Sequence, residues 1–213
     1  GDAIDSRELL FFNEDLSIYK LLVNRNMNYL YRNSHFDELF YIQSGKADFI
    51  SNFGSLELIA GDYLIIPKGV IWKIDIKEDL SCLLVESRGP IEVPSKYINR
   101  FGQFMEHSPF CERDIVIPKF EDPIVDSNID LKVRLETGTQ NYILKNHPFD
   151  IVGWDGYYYP WKFNIQDFEP ITGSIHQPPP VHQTFQANGF VICSFVSRLF
   201  DYHPKAIPSP YPH

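Results

Sequence analysis

The sequence lacks clustered positive charge. Its 213 residues include 19 Lys and Arg against 28 Asp and Glu, which gives a formal net charge of −9. A protein that binds a phosphate backbone presents Lys and Arg together on one surface. The acidic balance and the absence of any basic run therefore argue against nucleic acid as a partner. They also provide no long-range attraction for an anionic small molecule, so any such attraction has to be local.

Cysteine and long apolar runs are scarce as well. The three cysteines, Cys82, Cys111 and Cys193, form no CxxC pair, so neither a disulfide framework nor a zinc ribbon is predicted. We expect reduced thiols and a cytoplasmic protein. No apolar stretch approaches the roughly 18 residues of a membrane span. The apolar run "LLFF" at residues 9–12 is too short, and too closely flanked by charge, for a signal peptide.

Short apolar runs dominate residues 8 to 87. In "VIWKIDIK", Trp72, Ile74 and Ile76 alternate with charged residues, which is the period of a half-buried strand. Similar runs are separated by turn residues: "ELFYIQ", "KADFIS", "DYLIIP" and "LSCLLVES". The pattern predicts a mainly β fold, built as an antiparallel barrel or sandwich.

Changes in amino-acid composition along the chain suggest three domains. Residues 1–113 are expected to form the barrel and one short helix, for which "KYINRFGQFMEH" (residues 96–107) is the best candidate, with a core-packing apolar stripe. Residues 114–146 are charged and are interpreted as a linker or excursion. Residues 147–213 hold ten of the 16 prolines, so this part is expected to be loop-rich and to suit a site. The first residue, Gly1, and the final "PYPH" suggest that the chain begins and stops inside a longer gene product.

The segment "GDYLIIPKGVIW", together with Glu38 and Gly45, resembles the two motifs of the cupin family. Its glycines and proline turn tight corners between barrel strands. The metal-binding histidines of the family are missing, because Trp72 stands at the second-motif position and either Arg32 and Ser34 or Tyr31 and Asn33 stand at the first; His35 is out of register. An indole cannot supply an imidazole donor. The resemblance therefore implies a degenerate barrel without metal, in which Glu38 is an edge or hydrogen-bonded carboxylate.

The second half carries a more specific resemblance. The segments "HPFDIVGWDGYYYPWKFNIQDFEPITG", "HQPPPVHQTF", "FVICSFV" and "YHPKAIPSPYPH" resemble the bacterial branch of the homogentisate 1,2-dioxygenase family, in order and almost without gaps. The likeness extends back through "IEVPSKYINRFGQFMEHSPFCERDI" to "GDAIDSRELL", and so covers essentially the whole chain. It implies two cupin barrels, a degenerate N-terminal one followed by the start of a second, truncated one over residues 147–213.

The same resemblance implies an activity. Members of the family are non-haem Fe(II) enzymes that cleave homogentisate with O2, yielding maleylacetoacetate in tyrosine and phenylalanine catabolism. The first iron ligand of the family maps onto His213, preceded here by Pro212 where the family has tyrosine, and the Glu and second His ligands lie beyond the chain. We therefore expect iron in the intact protein and none retained by this chain alone. The resemblance also implies a homo-oligomer, either a trimer or a hexamer.

Two histidines flank three prolines in "SIHQPPPVHQTF". In the family a histidine on the loop that enters the second barrel is the general base. His176 is the best match, and His182 is its rival. The prolines limit the conformational freedom of the loop, which suits a group that has to reach a substrate oxygen. For the other histidines, capping or loop packing is favoured: His107, His147 and His203.

An aromatic run follows the middle of the chain: Trp154, Tyr157, Tyr158, Tyr159 and Trp161. It could form a substrate cage, but core packing and subunit contact are favoured.

Two classes of function compete. The first is an iron-dependent ring-cleaving oxygenase of which this chain is a part. The second is a metal-free cupin module that binds a small molecule or serves as a scaffold. The continuation of the gene past His213 separates them, because only the oxygenase needs the further Glu and His ligands.

Overall fold

The computed structural model describes residues 1–172 and 181–197. Thirteen strands lie in this part of the chain: β1 (Glu8–Phe12), β2 (Leu16–Val23), β3 (Leu30–Asn33), β4 (Asp37–Ser51), β5 (Gly54–Leu58), β6 (Asp62–Ile66), β7 (Ile71–Ser87), β8 (Ile115–Val116), β9 (Ile129–Leu135), β10 (Gly138–Leu144), β11 (Trp161–Asn164), β12 (Gln183–Ala187) and β13 (Phe190–Cys193). The helices described are three single 3-10 turns: Ser95–Tyr97, Glu112–Asp114 and Ile165–Asp167. No helix of these residues is long and apolar enough to cross a membrane.

The long strands β4 and β7 organise the fold. They pair antiparallel along most of their length. The first half of β4 also pairs with β6 and its second half with β5, whereas β7 pairs with β3 at its start and with β2 at its end. Side chains from both halves of β4 and β7 meet in one buried cluster, so the sheet folds over itself as a barrel. The structure confirms the prediction of a mainly β fold on a cupin-type barrel.

Alternation along the strands decides which side chains enter the barrel. In β7, Trp72 and Ile74 are buried and Lys73 and Asp75 are not, as the sequence predicts. In β4, Phe40 and Ile42 point into the barrel cluster, while Leu39 on the opposite face joins a second cluster outside it. Glu38, Phe40 and Ile42 are alternate residues of β4, so Glu38 also lies on the inward face.

The second cluster joins the later part of the chain to the barrel. Strand β11 pairs with β6, so Phe163 packs beside Tyr63 on the outer face of the sheet. Phe185, from the separate two-stranded sheet β12–β13, contacts the rings of Tyr63 and Phe163. Strand β11 and the β12–β13 sheet therefore pack on the N-terminal barrel. The three-domain division and the start of a second barrel remain predictions.

The helix expected over residues 96–107 is wrong. Only the 3-10 turn Ser95–Tyr97 forms. The Asn99 side chain accepts hydrogen bonds from the backbone N–H groups of Phe101 and Gln103, and Gly102 has a φ of 81°. These turn contacts compete with a helix and end it. Of the expected stripe, Tyr97 is buried, but Phe101 is 73% exposed.

Residues 114–146, interpreted as a linker or excursion, contribute three strands. The hairpin β9–β10 joins the main sheet because β9 pairs parallel to β3. Leu131 and Val133 of β9 pack on Leu30 and Phe149 in a third cluster. Parallel pairing with a strand about 100 residues earlier is a tertiary contact, and local composition does not encode it.

We expect Gly45→Ala to destabilise the fold by more than Gly69→Ala. Both glycines have a positive φ, 92° and 91°, and that conformation costs about 1–3 kcal/mol for another residue. A Cβ at Gly45 would also overlap the carbonyl of Asp79 on β7, whereas nothing lies near a Cβ at Gly69. Urea denaturation of the two variants separates the steric clash from the backbone strain. Equal losses of unfolding free energy in the two variants would show that β4 and β7 can separate near Gly45 and Asp79 without a measurable energetic cost.

Candidate functional site

Glu38 lies at the centre of a buried polar cluster inside the barrel. Glu38 on β4 and Glu86 on β7 are directly paired across the two strands, so their carboxylates point to the same side. The guanidinium of Arg7 lies between them, with Nη2 2.8 Å from Glu38 Oε1 and Nη1 2.9 Å from Glu86 Oε1. Glu38 is fully buried and Glu86 is 3% exposed. The two carboxylates therefore share one cation.

The residues at the predicted histidine positions complete this cluster. The Asn33 side chain donates hydrogen bonds to Glu38 Oε1 at 3.3 Å and to Glu86 Oε1 at 3.1 Å. Trp72 is fully buried and its ring contacts three other aromatic rings, those of Tyr31, Phe40 and Phe49. Asn33 and Arg7 thus occupy the space beside Glu38. His35, which is out of register in the motif, is exposed.

Burial and charge act in opposite directions on this cluster. Burial acts to lower the pKa of the Arg7 guanidinium, but the charges of Glu38 and Glu86 outweigh it and the pKa is raised. Burial raises the pKa of the Glu38 carboxyl, and the charge of Arg7 opposes that effect. Burial, followed by the charge of Glu38, also raises the pKa of Tyr31. Arg7 and Tyr31 therefore keep their protons at neutral pH.

The sequence interpretation missed Arg7 and Glu86. For Glu86 there was a signal, because Leu80, Cys82 and Leu84 are buried at alternate positions of β7 and Glu86 continues that inward row. An inward-facing carboxylate needs a partner. Arg7 had no such signal, since it lies before the first strand and 79 residues from Glu86.

A second buried polar cluster surrounds His182. The His182 ring is 3% exposed, and its Nδ1 lies 2.9 Å from the backbone oxygen of Ser194. The Ser194 hydroxyl bonds with Thr184 Oγ1 at 2.5 Å and with the Tyr63 hydroxyl at 2.9 Å. Burial raises the pKa of Tyr63 to about 12, so that its hydroxyl stays protonated. His182 thus packs against Ser194, whose hydroxyl links this cluster to Tyr63 of the barrel. The role of His182 as a base remains a prediction.

The other predicted site residues are distributed differently. His176, His203 and His213 lie outside the described residues. The Phe149 backbone N–H donates to His147 Nδ1 at 3.1 Å, which agrees with a capping role, and burial lowers the pKa of His147. His107 is exposed. Within residues 1–172 and 181–197, no three His, Cys, Asp or Glu side chains are placed to hold a metal ion, so this part of the chain does not fit an iron site.

The aromatic run after residue 153 is mostly exposed. Trp154, Tyr157 and Tyr158 are 56%, 103% and 46% exposed. The prediction that they pack in the core is therefore wrong, because this segment is a loop on the surface. Only Trp161, at the start of β11, packs partly into the second cluster. Trp154 and Tyr159 line an apolar groove of about 650 Å³ beside the β4–β5 turn.

Comparisons with known proteins identify a matching family and several relatives. The model of the family described as homogentisate 1,2-dioxygenase N-terminal matches residues 9–165. A protein of Saccharolobus solfataricus, provisionally named a dioxygenase, is 41% identical over 214 residues, which cover the whole chain and 56% of that protein. The homogentisate 1,2-dioxygenase of Mus musculus is 26% identical over 194 residues, which cover 86% of the chain and 42% of that enzyme. The chain therefore spans about half the length, or less, of these curated relatives.

Solved structures of cupin domains match part of the chain. A cupin-2 domain protein from Shewanella frigidimarina is 24% identical over 39% of the chain and 80% of its own length, with a TM-score of 0.36. The cupin domain of Schizosaccharomyces pombe Cnp3 is 17% identical over 38% of the chain and 63% of its own length, also with a TM-score of 0.36.

Proposed function

The chain belongs to the homogentisate 1,2-dioxygenase N-terminal family, and from this premise we propose that the intact protein is an Fe(II)-dependent dioxygenase that cleaves homogentisate with O2 to maleylacetoacetate. The observation that carries the proposal is the family match over residues 9–165. A relative named as a dioxygenase extends the likeness to the whole chain. Relatives named for homogentisate are 26% identical to the chain over the aligned residues, so the substrate and the iron are parts of the proposal.

Iron is assigned to residues outside the described part of the chain. The described residues do not fit a metal site. The proposal therefore gives one ligand to His213 and the remaining Glu and His to the sequence that follows in the longer relatives. The N-terminal barrel then has a structural role, because Arg7 and Trp72 fill its interior.

His176 is proposed as the general base that accepts the proton of a phenolic hydroxyl of the substrate. The described strands that precede and follow it in sequence are firmly packed. Phe163 of β11 and Phe185 of β12 are both fully buried, with ring centroids 6.2 Å apart. We expect the three prolines that follow His176 in the sequence to restrict its loop, which would suit a positioned base. His182, the rival, is buried against Ser194.

A metal-free binding or scaffold module is the second candidate. The observation that favours it is the buried Arg7–Glu38–Glu86 cluster, because a guanidinium stands beside the only carboxylate that matches the cupin motif. If the longer gene lacks the Glu and His ligands after His213, neither barrel could perform iron chemistry. The apolar groove beside Trp154 would then be the place to look for a ligand.

Iron content and oxygen uptake test the proposal. We expect the intact protein to bind stoichiometric iron and to consume O2 with homogentisate, and the 213-residue chain to do neither, because one imidazole cannot hold Fe(II) against water. Metal analysis and an oxygen electrode give both readouts, with hydroquinone as the control substrate that lacks the acetate group. Turnover by the 213-residue chain would contradict the mapping of His213. If the intact protein binds iron but consumes no O2 with homogentisate, the assignment of homogentisate as the substrate is wrong.

Two further expectations belong to this proposal. The family resemblance implies a trimer or hexamer, and exposed aromatic side chains such as Phe11 and Phe12, 69% and 73% exposed on β1, supply apolar surface of the kind that subunit contacts use. A cytoplasmic location, expected from three unpaired cysteines, also remains a prediction.

A further inference from the structure

The first seven residues form an anchored segment at the barrel. Asp2 and Ala3 are 2% and 0% exposed. The Asp2 side chain accepts hydrogen bonds from the backbone N–H groups of Ile4 and Asp5 and from the Tyr29 hydroxyl. Ala3 and Ile4 pack on the barrel cluster. The backbone before Arg7 is therefore held in place by side chains of the barrel.

The Arg7 guanidinium is contacted on its edges and on one face. Two nitrogens lie within 2.9 Å of the carboxylates of Glu38 and Glu86. The third, Nε, donates to the Ala3 carbonyl at 3.2 Å. The ring of Tyr31 covers one face, with its centroid 5.1 Å from the Arg7 Cζ atom. A position between two carboxylates and over an aromatic ring suits a planar guanidinium, which can donate along its edges while its face lies on the ring.

The two carboxylates are held in place by other side chains. Asn33 donates to both of them, and the Tyr19 hydroxyl donates to Glu86 Oε2 at 3.0 Å. Glu38 Oε2 has no hydrogen-bond partner among residues 1–172 and 181–197. Glu38 thus depends on Arg7 and Asn33 for compensation of its charge. Two buried carboxylates without a cation would be strongly unfavourable.

We propose that the interior of the N-terminal barrel is a guanidinium-binding site, formed by Glu38, Glu86 and Tyr31, whose resident ligand is the side chain of Arg7. The cation that balances the barrel carboxylates is thus supplied by the chain itself, through its N-terminal segment. We expect the site to favour small planar cations, because Nη1 donates to Glu86 Oε1, Nε donates to the Ala3 carbonyl and the flat face lies on the Tyr31 ring. When the Arg7 side chain is removed, free guanidinium should bind in its place.

Chemical rescue of Arg7→Ala tests this proposal. We expect its midpoint of thermal unfolding to lie roughly 10 °C below that of the unaltered protein. Millimolar guanidinium chloride should raise that midpoint by roughly 4 °C at ten times its dissociation constant, and sodium chloride at equal ionic strength should not. Arg25→Ala is the matched control, because Arg25 pairs with Asp2 and Asp5 in the same segment but is 61% exposed. It should lose little stability and gain nothing from guanidinium.

Three results would overturn the proposal. The first is no rescue of Arg7→Ala by guanidinium, and the second is equal rescue by manganese chloride, since either would mean that no planar-cation site exists. The third is an undiminished rescue in Arg7→Ala combined with Glu38→Gln, because the site would then not involve Glu38. If Arg7→Ala cannot be obtained folded, Arg7→Met with Glu38→Gln and Glu86→Gln should restore folding, since no unpaired charge remains. Failure of that neutral set to fold would also contradict the proposal.

Discussion

Replacing His176 by alanine in the intact protein should lower turnover of homogentisate by roughly 10²–10⁴-fold, the range expected for the loss of a positioned acid–base group. Iron content and folding should stay near normal, because the proposed ligands are His213 and later residues. Steady-state oxygen uptake at saturating substrate, together with metal analysis of each preparation, measures both quantities. Activity of the unaltered enzyme should also fall as the pH drops through the pKa of the base, and His176→Ala should remove that limb.

His182→Ala is the matched control for this prediction. Its ring is 3% exposed, and Nδ1 lies 2.9 Å from the backbone oxygen of Ser194. We therefore expect this change to reduce stability more than turnover, because it removes a buried side chain that packs against Ser194. If His182→Ala loses more turnover than His176→Ala and retains its iron, His182 is the base instead of His176. Loss of iron in both variants would mean that the loop is structural and that neither histidine is the base.

The barrel could be predicted because its signal is local. Alternation in β7 identifies Trp72 and Ile74 as inward-facing, and both are buried. Glu38 was expected to be an edge or hydrogen-bonded carboxylate, and it is paired with Arg7 and Asn33. Each of these inferences needs only the period of a strand and the chemistry of one side chain.

The features that could not be predicted depend on contacts between distant residues. Arg7 reaches Glu86 across 79 residues, and β9 pairs with β3 across about 100. The helix prediction over residues 96–107 was wrong for a local reason. Apolar residues occur there at helical spacing, but Asn99 and Gly102 favour a turn. Hydrophobic periodicity indicates which face of a segment can be buried, but the segment need not be regular.

The second large effect is expected at Trp72. Its indole is fully buried against Tyr31, Phe40 and Phe49, with centroid distances of 5.2, 5.7 and 5.9 Å. Trp72→Ala should therefore reduce the free energy of unfolding by about 3–5 kcal/mol, through lost apolar contact and the cavity that remains. Urea denaturation followed by circular dichroism measures the loss without depending on tryptophan fluorescence. Trp154→Ala is the control for residue type, because that indole is 56% exposed and should cost about 1 kcal/mol or less.

Trp72→Phe separates volume from hydrogen bonding at the same position. The Trp72 Nε1 atom has no hydrogen-bond partner among the described residues, so phenylalanine removes no bond and leaves a smaller cavity than alanine does. We expect its loss to be less than half that of Trp72→Ala. If phenylalanine costs as much as alanine, the indole nitrogen has a partner that matters for stability. If neither variant is destabilised, the Trp72 side chain does not fill the barrel.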